Sequence, residues 1–193
     1  MKTTKRGQNW PYNYDTAHTV IDGEHKMNEE EICNLSIITR RGIIRPFSAH
    51  EVDAFLSYHN NLDWMQYQGF KGLSKAEAVD ALLSNPTLTQ GKQFALVKPE
   101  MDQLLGDFYL QLEGDTMWLG YTINPLFARH GYAFEGAKAL IEFLSQQHVR
   151  VLKADVDPNN QASRRLLEKL SFKQIMQNDE TVIFERGLTD FNN

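Results

Sequence analysis

The sequence predicts an α+β domain, and three features of its residue order carry that reading. Strand-like runs rich in aromatic and β-branched residues alternate with amphipathic helical stretches. The longest unbroken motif, Thr116 to Gln147, reads as an apolar strand, a tight turn and a long helix. Two short strand-like runs, KQIMQ and TVIFE, then flank a polar turn, Asn178-Asp179-Glu180. A chain of 193 residues suits one domain with a sizeable core, and its composition is that of ordinary globular proteins.

Taken in order, residues 1–34 read as an N-terminal arm and residues 35–193 as the domain proper. The arm is polar and aromatic by turns. Clusters such as Trp10, Pro11, Tyr12 and Tyr14 seldom stay solvated, so it is expected to dock on the domain or on a second subunit. Glu29, Glu30 and Glu31 suit the first turn of a short helix. From Leu35 to Phe47 the pattern is one strand, with β-branched residues on both sides of Arg40-Arg41-Gly42. Ser48 with Glu51, and Ser74 with Glu77, have the spacing of capping boxes at two helix starts. Between those helices Trp64, Tyr67 and Phe70 could line a pocket or belong to the core. QFALV and GDFYLQL then read as antiparallel strands leading to the central strand, TMWLGYTI.

Asn124-Pro125 ends that strand, since proline offers no ladder donor. The helix that follows carries Ala133, Ala137, Leu140, Ile141 and Leu144 at the repeat of a half-buried surface. Its start, Arg129-His130-Gly131-Tyr132-Ala133, presents free backbone N–H groups backed by the positive end of the helix dipole, which suits phosphate oxygens. Gly131 lets a ligand approach the backbone with no side chain in the way. A single glycine in such a turn is a weak signal, and the His130 side chain is expected to point to solvent. Val149–Val156 reads as the next strand, followed by a turn at DPNN and the helix QASRRLLEKL.

A net charge of −5 and a pI near 5.7 argue against a dedicated nucleic-acid binder. The acidity gives a small bias towards cationic amines, or simply keeps the chain in solution. No apolar run approaches the roughly 20 residues that span a bilayer, and the first residues lack a secretory pattern. The cytoplasm is the expected compartment, and no membrane partner is expected. The lone Cys33 reads as a small apolar filler in a reducing environment. Neither metal-ligand spacing among the six histidines nor a nucleophile or P-loop motif is present, so no metal is expected.

Three pieces together, LGYTINP, GYA, and DPNNQASRRLLEKLSF, resemble the GCN5-related N-acetyltransferase (GNAT) family, in particular its ribosomal-protein N-terminal alanine acetyltransferase-like branch. In the last piece Asn160, Ser163, Leu166 and Phe172 fill the family pattern, with Ser171 where a glycine is usual. The likeness is strong from about residue 106 to 187 and looser from 35 to 83. It implies a mixed, mostly antiparallel twisted sheet of about seven strands, with helices on both faces and central strands splayed to hold the cofactor. The implied reaction is acetyl transfer from acetyl-CoA to a primary amine, by direct attack in a ternary complex. The acceptor would be a peptide or protein N-terminus or a small amine. Homodimers are common in such folds, and the arm could serve one.

Carried over residue by residue, the resemblance gives Arg129, His130, Gly131, Tyr132 and Ala133 to the pyrophosphate, and Asn160 and Ser163 to the pantetheine side. Main-chain groups from Tyr121 through Thr122 to Ile123 would hold the pantetheine arm and polarise the thioester. Asn160 can equally be a helix N-cap, and Ser163 can simply face solvent. Trp64 and Tyr67 would line the acceptor wall. The sequence departs from the pattern at Ala128, Phe134, Trp118 and Leu167. The last two stand where a base and a thiol-protonating tyrosine are frequent. Tyr121, Asp107, Glu113 or a water chain are the available proton paths, with Tyr121 the named catalytic candidate. A non-catalytic acyl-CoA-binding regulatory module is the alternative reading.

Overall fold

The computed structural model describes residues 27–188. The aromatic cluster at Trp10–Tyr14, expected to dock, lies outside the described residues. Helix α1 (Glu29–Cys33) opens the described chain, with Asn28 accepting from the Glu31 N–H at its start. Its Ile32 is fully buried in the main core, so this end of the expected arm is anchored in the domain.

Two short strands follow, β1 (Ile37–Ile38) and β2 (Ile43–Pro46), paired antiparallel. The single strand expected over Leu35–Phe47 is therefore a hairpin. The break falls at Arg40-Arg41-Gly42, where Thr39 N–H donates to the Gly42 carbonyl at 2.8 Å and folds the chain back. Helices α2 (Val52–His59) and α3 (Lys75–Leu83) come next, both entered through the expected capping boxes. Strands β3 (Lys92–Lys98), β4 (Gln103–Glu113) and β5 (Thr116–Ile123) continue an antiparallel meander. Helix α4 (Tyr132–Gln146) crosses to β6 (Val151–Val156), then α5 (Gln161–Lys169), β7 (Lys173–Gln177) and β8 (Val182–Gly187) complete the chain.

One sheet of eight strands results, in the order β1-β2-β3-β4-β5-β6-β8-β7. The strand count exceeds the expected seven because the first strand is split into a hairpin. Every pairing is antiparallel except β5 with β6, the one junction that needs a helical crossover. Two cores cover the two faces. The larger joins α4 and α5 to the sheet through Phe108, Leu119, Leu140, Leu152, Leu167 and Phe184. The smaller packs α2 and α3 through Phe55, Tyr58 and Leu82 on Ala95, Val97 and Leu104. Gly136 makes the first contact close: a Cβ there would lie 2.6 Å from the Phe108 ring.

Candidate active site

The parallel junction is incomplete. Strands β5 and β6 pair only at Thr116–Val151, Met117–Leu152 and Trp118–Lys153. Beyond that point β5 keeps β4 on its other side and β6 keeps β8, so two unpaired edges face each other across a gap. The Asn124 N–H donates to the Leu105 carbonyl at 2.9 Å, which sets the alternation along β5. Thr122 therefore turns its main chain to Asp107 on β4, while Tyr121 and Ile123 aim their N–H and C=O groups into the gap. Of the three residues expected to serve the pantetheine arm, Tyr121 and Ile123 are brought to the gap and Thr122 is not; its side chain is buried on the α2 face.

At the open end of the gap lies the start of α4. Arg129 (φ 63°) and Gly131 (φ 83°) both adopt left-handed backbone, coiling the chain so that Gly131 serves as the helix N-cap. The first amides of the helix have no acceptor within it, and the positive end of the helix dipole lies behind them. Arg129, His130 and Gly131 are exposed, as the sequence suggested for the His130 side chain. The turn is braced from the β1–β2 hairpin. Arg41 donates through Nη2 to the His130 carbonyl at 2.9 Å and stands 4.3 Å from the centre of the Tyr132 ring. It also pairs through Nε with Glu135 at 2.8 Å, and its own N–H meets the same carboxylate at 2.7 Å. Burial opposes ionisation of Glu135, but the donors on Arg41 and Thr39 and the guanidinium charge outweigh it and hold this carboxyl below its usual range. No local pattern signals this brace, since residues 41 and 135 lie far apart along the chain.

Tyr121 faces the α4 side of the sheet, its ring 6.4 Å from Phe108, and its hydroxyl meets Ser163 Oγ at 2.7 Å across the gap. Burial pushes its phenol up to about 12, with the Ser163 contact pulling slightly the other way. At neutral pH Tyr121 is therefore a proton donor and cannot act as a base. Asn160 caps α5 by accepting from the Ser163 N–H at 3.1 Å, and it also lines the cleft formed by the gap. Asp155 lines the same cleft and takes a hydrogen bond from the Thr181 hydroxyl. Burial, with Asp157 nearby, raises its carboxyl to about 6. In sequence Asp155 looks like any polar residue of an alternating strand; only the loss of its β5 neighbour turns it into a cleft residue.

The other two carboxylates considered for the proton path stand elsewhere. Asp107 is buried and accepts from the Tyr58 hydroxyl at 2.6 Å and faces His59 Nε2 at 2.9 Å. His59 Nδ1 in turn faces the Phe70 carbonyl at 2.8 Å, so this cluster ties the α2–α3 connection to the sheet. Glu113 accepts from the Trp118 indole at the closed end of the β5–β6 junction.

The connection between α2 and α3 covers the gap from the face opposite α4. Trp64 Nε1 donates to the Ile123 carbonyl at 2.9 Å and the Gln68 amide to the Tyr121 carbonyl at 3.4 Å. Trp64 and Tyr67 are 41% and 38% exposed, which leaves them available to a second molecule, whereas Phe70 packs into the smaller core. Among the described residues no cluster of acidic, histidine or cysteine side chains could hold a metal ion, and no helix is long and apolar enough to cross a membrane.

A parallel strand pair that parts beside a helix N-terminus, with the Tyr121 and Ile123 N–H groups turned into the gap, suits an extended ligand ending in phosphates. Residues 41–173 match the model of the acetyltransferase (GNAT) domain family. The chain belongs to that family and is an acetyl-CoA-dependent N-acetyltransferase. It is 25% identical over 143 residues to the uncharacterized N-acetyltransferase YnaD of Bacillus subtilis, covering 72% of this chain and 84% of that one. Among solved structures it is similar to a spermidine N-acetyltransferase from Vibrio cholerae in complex with CoA and spermine (TM-score 0.68, 13% identity, 79% of this chain and 99% of that one). It is likewise similar to a ribosomal-protein-S5-alanine acetyltransferase from Vibrio fischeri (TM-score 0.67, 12% identity, 83% and 100%).

Proposed function

We propose that this protein acetylates a primary amine, on a peptide or protein N-terminus or on a small molecule, by direct attack within a ternary complex. The observation that carries the reading is the parting of β5 from β6 beyond Trp118 and Lys153, beside the exposed start of α4. Amides from Arg129 to Ala133 take the pyrophosphate, with Arg41 holding their turn in shape. The pantetheine arm lies along the gap edge of β5, and the free Ile123 N–H polarises the thioester carbonyl. Asn160 contributes its amide to the arm while its oxygen caps α5.

Placing both reactants in one gap removes the need for a covalent enzyme intermediate, because proximity supplies much of the rate. The amine enters from the face of the 61–73 connection, where Trp64 and Tyr67 form the exposed wall. Tyr121, protonated and set against Ser163, donates to the departing thiolate. That role answers the alternative of a regulatory module without catalysis, which draws support from Leu167 lying wholly within the core. Both readings require coenzyme A binding, and only the first requires turnover. Thiol release from acetyl-CoA is measured with peptides beginning in alanine or serine and with spermidine. CoA binding in calorimetry without thiol release for any acceptor would leave the module standing.

A further inference from the structure

Asp155 sits where the two faces of the sheet exchange through the gap. Leu152, Ala154 and Val156 of β6 belong to the core beneath α4 and α5. The two-residue alternation of a strand therefore turns Asp155 to the opposite face, the one covered by the 61–73 connection. Tyr67 and Gln68 of that connection line the same cleft as Asp155, and so does Gly120 of β5. Tyr121, by contrast, comes to this cleft from the α4 side. One gap thus has a carboxylate on the face of the 61–73 connection and a phenol on the α4 face.

We propose that Asp155 is the general base of the reaction, accepting a proton from the acceptor ammonium in the cleft; this rests on the acetyl-transfer reading above. The proton leaves the ammonium for the Asp155 carboxylate, and the neutral amine attacks the thioester carbonyl. The C–N bond forms and the C–S bond breaks with its electron pair on sulfur. Tyr121 gives its proton to the departing thiolate, the second nitrogen proton passes back to the Tyr121 phenolate as the adduct collapses, and Asp155 releases the first proton to solvent. The products are an amide and free coenzyme A.

The surroundings fit this work. The Thr181 hydroxyl, from the turn before β8, orients the carboxylate, and the Val156 N–H adds a second donor. Asp157, in the turn between β6 and α5, is the charge that opposes ionisation, after burial itself. The nearby cation on this face, Lys153, is paired with Glu185 at 3.5 Å, and the phenols of Tyr67 and Tyr121 complete the titratable groups around the cleft. With its carboxyl near 6, Asp155 is ionised at neutral pH yet basic enough to take a proton.

The test compares wild type with Asp155→Asn and Asp155→Glu, using alanine- and serine-initiated peptides and spermidine between about pH 5 and pH 9. Asp155→Asn is expected to bind coenzyme A as wild type does in calorimetry while thiol release falls about 10²–10³-fold. The ascending limb of the pH–rate profile near 6 is expected to vanish, and Asp155→Glu to restore part of the rate with a limb. Should Asp155→Asn fold poorly, Thr181→Val serves instead. Loss of a donor to the carboxylate is expected to move the limb to higher pH. An Asp155→Asn protein that keeps rate and limb, a loss of rate matched by loss of coenzyme A binding, or an unmoved limb in Thr181→Val overturns the assignment. A wild-type protein that binds coenzyme A but acetylates none of these amines instead sinks the acetyl-transfer reading, and this assignment falls with it.

Discussion

Arg41 and Glu135 lock the β1–β2 hairpin to the first turn of α4: Nε meets the carboxylate at 2.8 Å and the Arg41 N–H meets it at 2.7 Å. Since Arg41 also holds the His130 carbonyl, the pair sets the shape of the turn proposed to receive the pyrophosphate. Arg41→Ala is expected to raise the KM for acetyl-CoA about tenfold, through lost preorganisation. A double-mutant cycle with Glu135→Ala should give a coupling of about 1 kcal/mol, since both groups are partly solvated. The Glu135 carboxyl is held down in the folded state, so its contribution is complete above the unfolded carboxylate pKa of about 4.3. The coupling should fade as pH falls below that value. Denaturant melts of the four proteins at pH 7 and in acid check this.

Much of this arrangement could be read from residue order, but not the brace itself. The capping boxes at Ser48 and Ser74, the long amphipathic α4 and the turn at Asn178 depend on neighbours within a few residues, and all appear as expected. The β1–β2 hairpin is not legible in residue order because periodicity is the same in a strand and in a tight hairpin. Arg40-Arg41-Gly42 bends only because Thr39 and Gly42 close the turn while Glu135, from a distant helix, receives Arg41. The orientation of Thr122 towards β4 is hidden for a similar reason: which residues of β5 face the gap depends on the register with β4, which no local pattern specifies.

Tyr121 and Ser163 give the second expectation. With its phenol near 12, Tyr121 keeps its proton across the working range. Tyr121→Phe should therefore lower kcat about 10–100-fold, as befits loss of one acid contribution, while leaving the limbs of the pH–rate profile below about pH 9 in place. Ser163→Ala removes the contact that orients the phenol and should lower kcat less, with little added effect in the double variant. An unchanged rate in Tyr121→Phe would remove this residue from the chemistry.

Ser171 occupies the position where the family pattern has glycine, and the backbone there demands one: φ is +64° at the turn between α5 and β7. A left-handed conformation costs an L-residue about 1 kcal/mol or more, and glycine is the usual residue just past a helix end. Ser171→Gly should stabilise the fold by roughly 0.5–1 kcal/mol, visible as a rise in Tm of about 2 °C with activity unchanged. The turn lies beyond the far end of α5 from Asn160, so CoA binding is the control that should not move.

Asp155 should cost the protein stability in proportion to its proposed usefulness. Its carboxyl is raised to about 6 in the folded state, against about 3.9 for an unfolded aspartate. The folded protein therefore binds more protons than the unfolded chain between those values, and stability falls as pH rises through that window. Below about pH 4 both states are protonated and the penalty is absent; above about pH 6 it is complete. Asp155→Asn keeps the acceptor for Thr181 but has no charge to desolvate. It should be more stable than wild type by about 1–2 kcal/mol at pH 7, a figure reduced for solvent screening in a cleft that is partly open. The advantage should shrink to nothing near pH 4. Urea melts of both proteins at several pH values measure the difference directly. A gap that stays constant with pH would mean that packing, and not the buried charge, separates them. A wild type that is the less stable at neutral pH, while acetylating faster, would fit a group whose strain is retained for its reactivity.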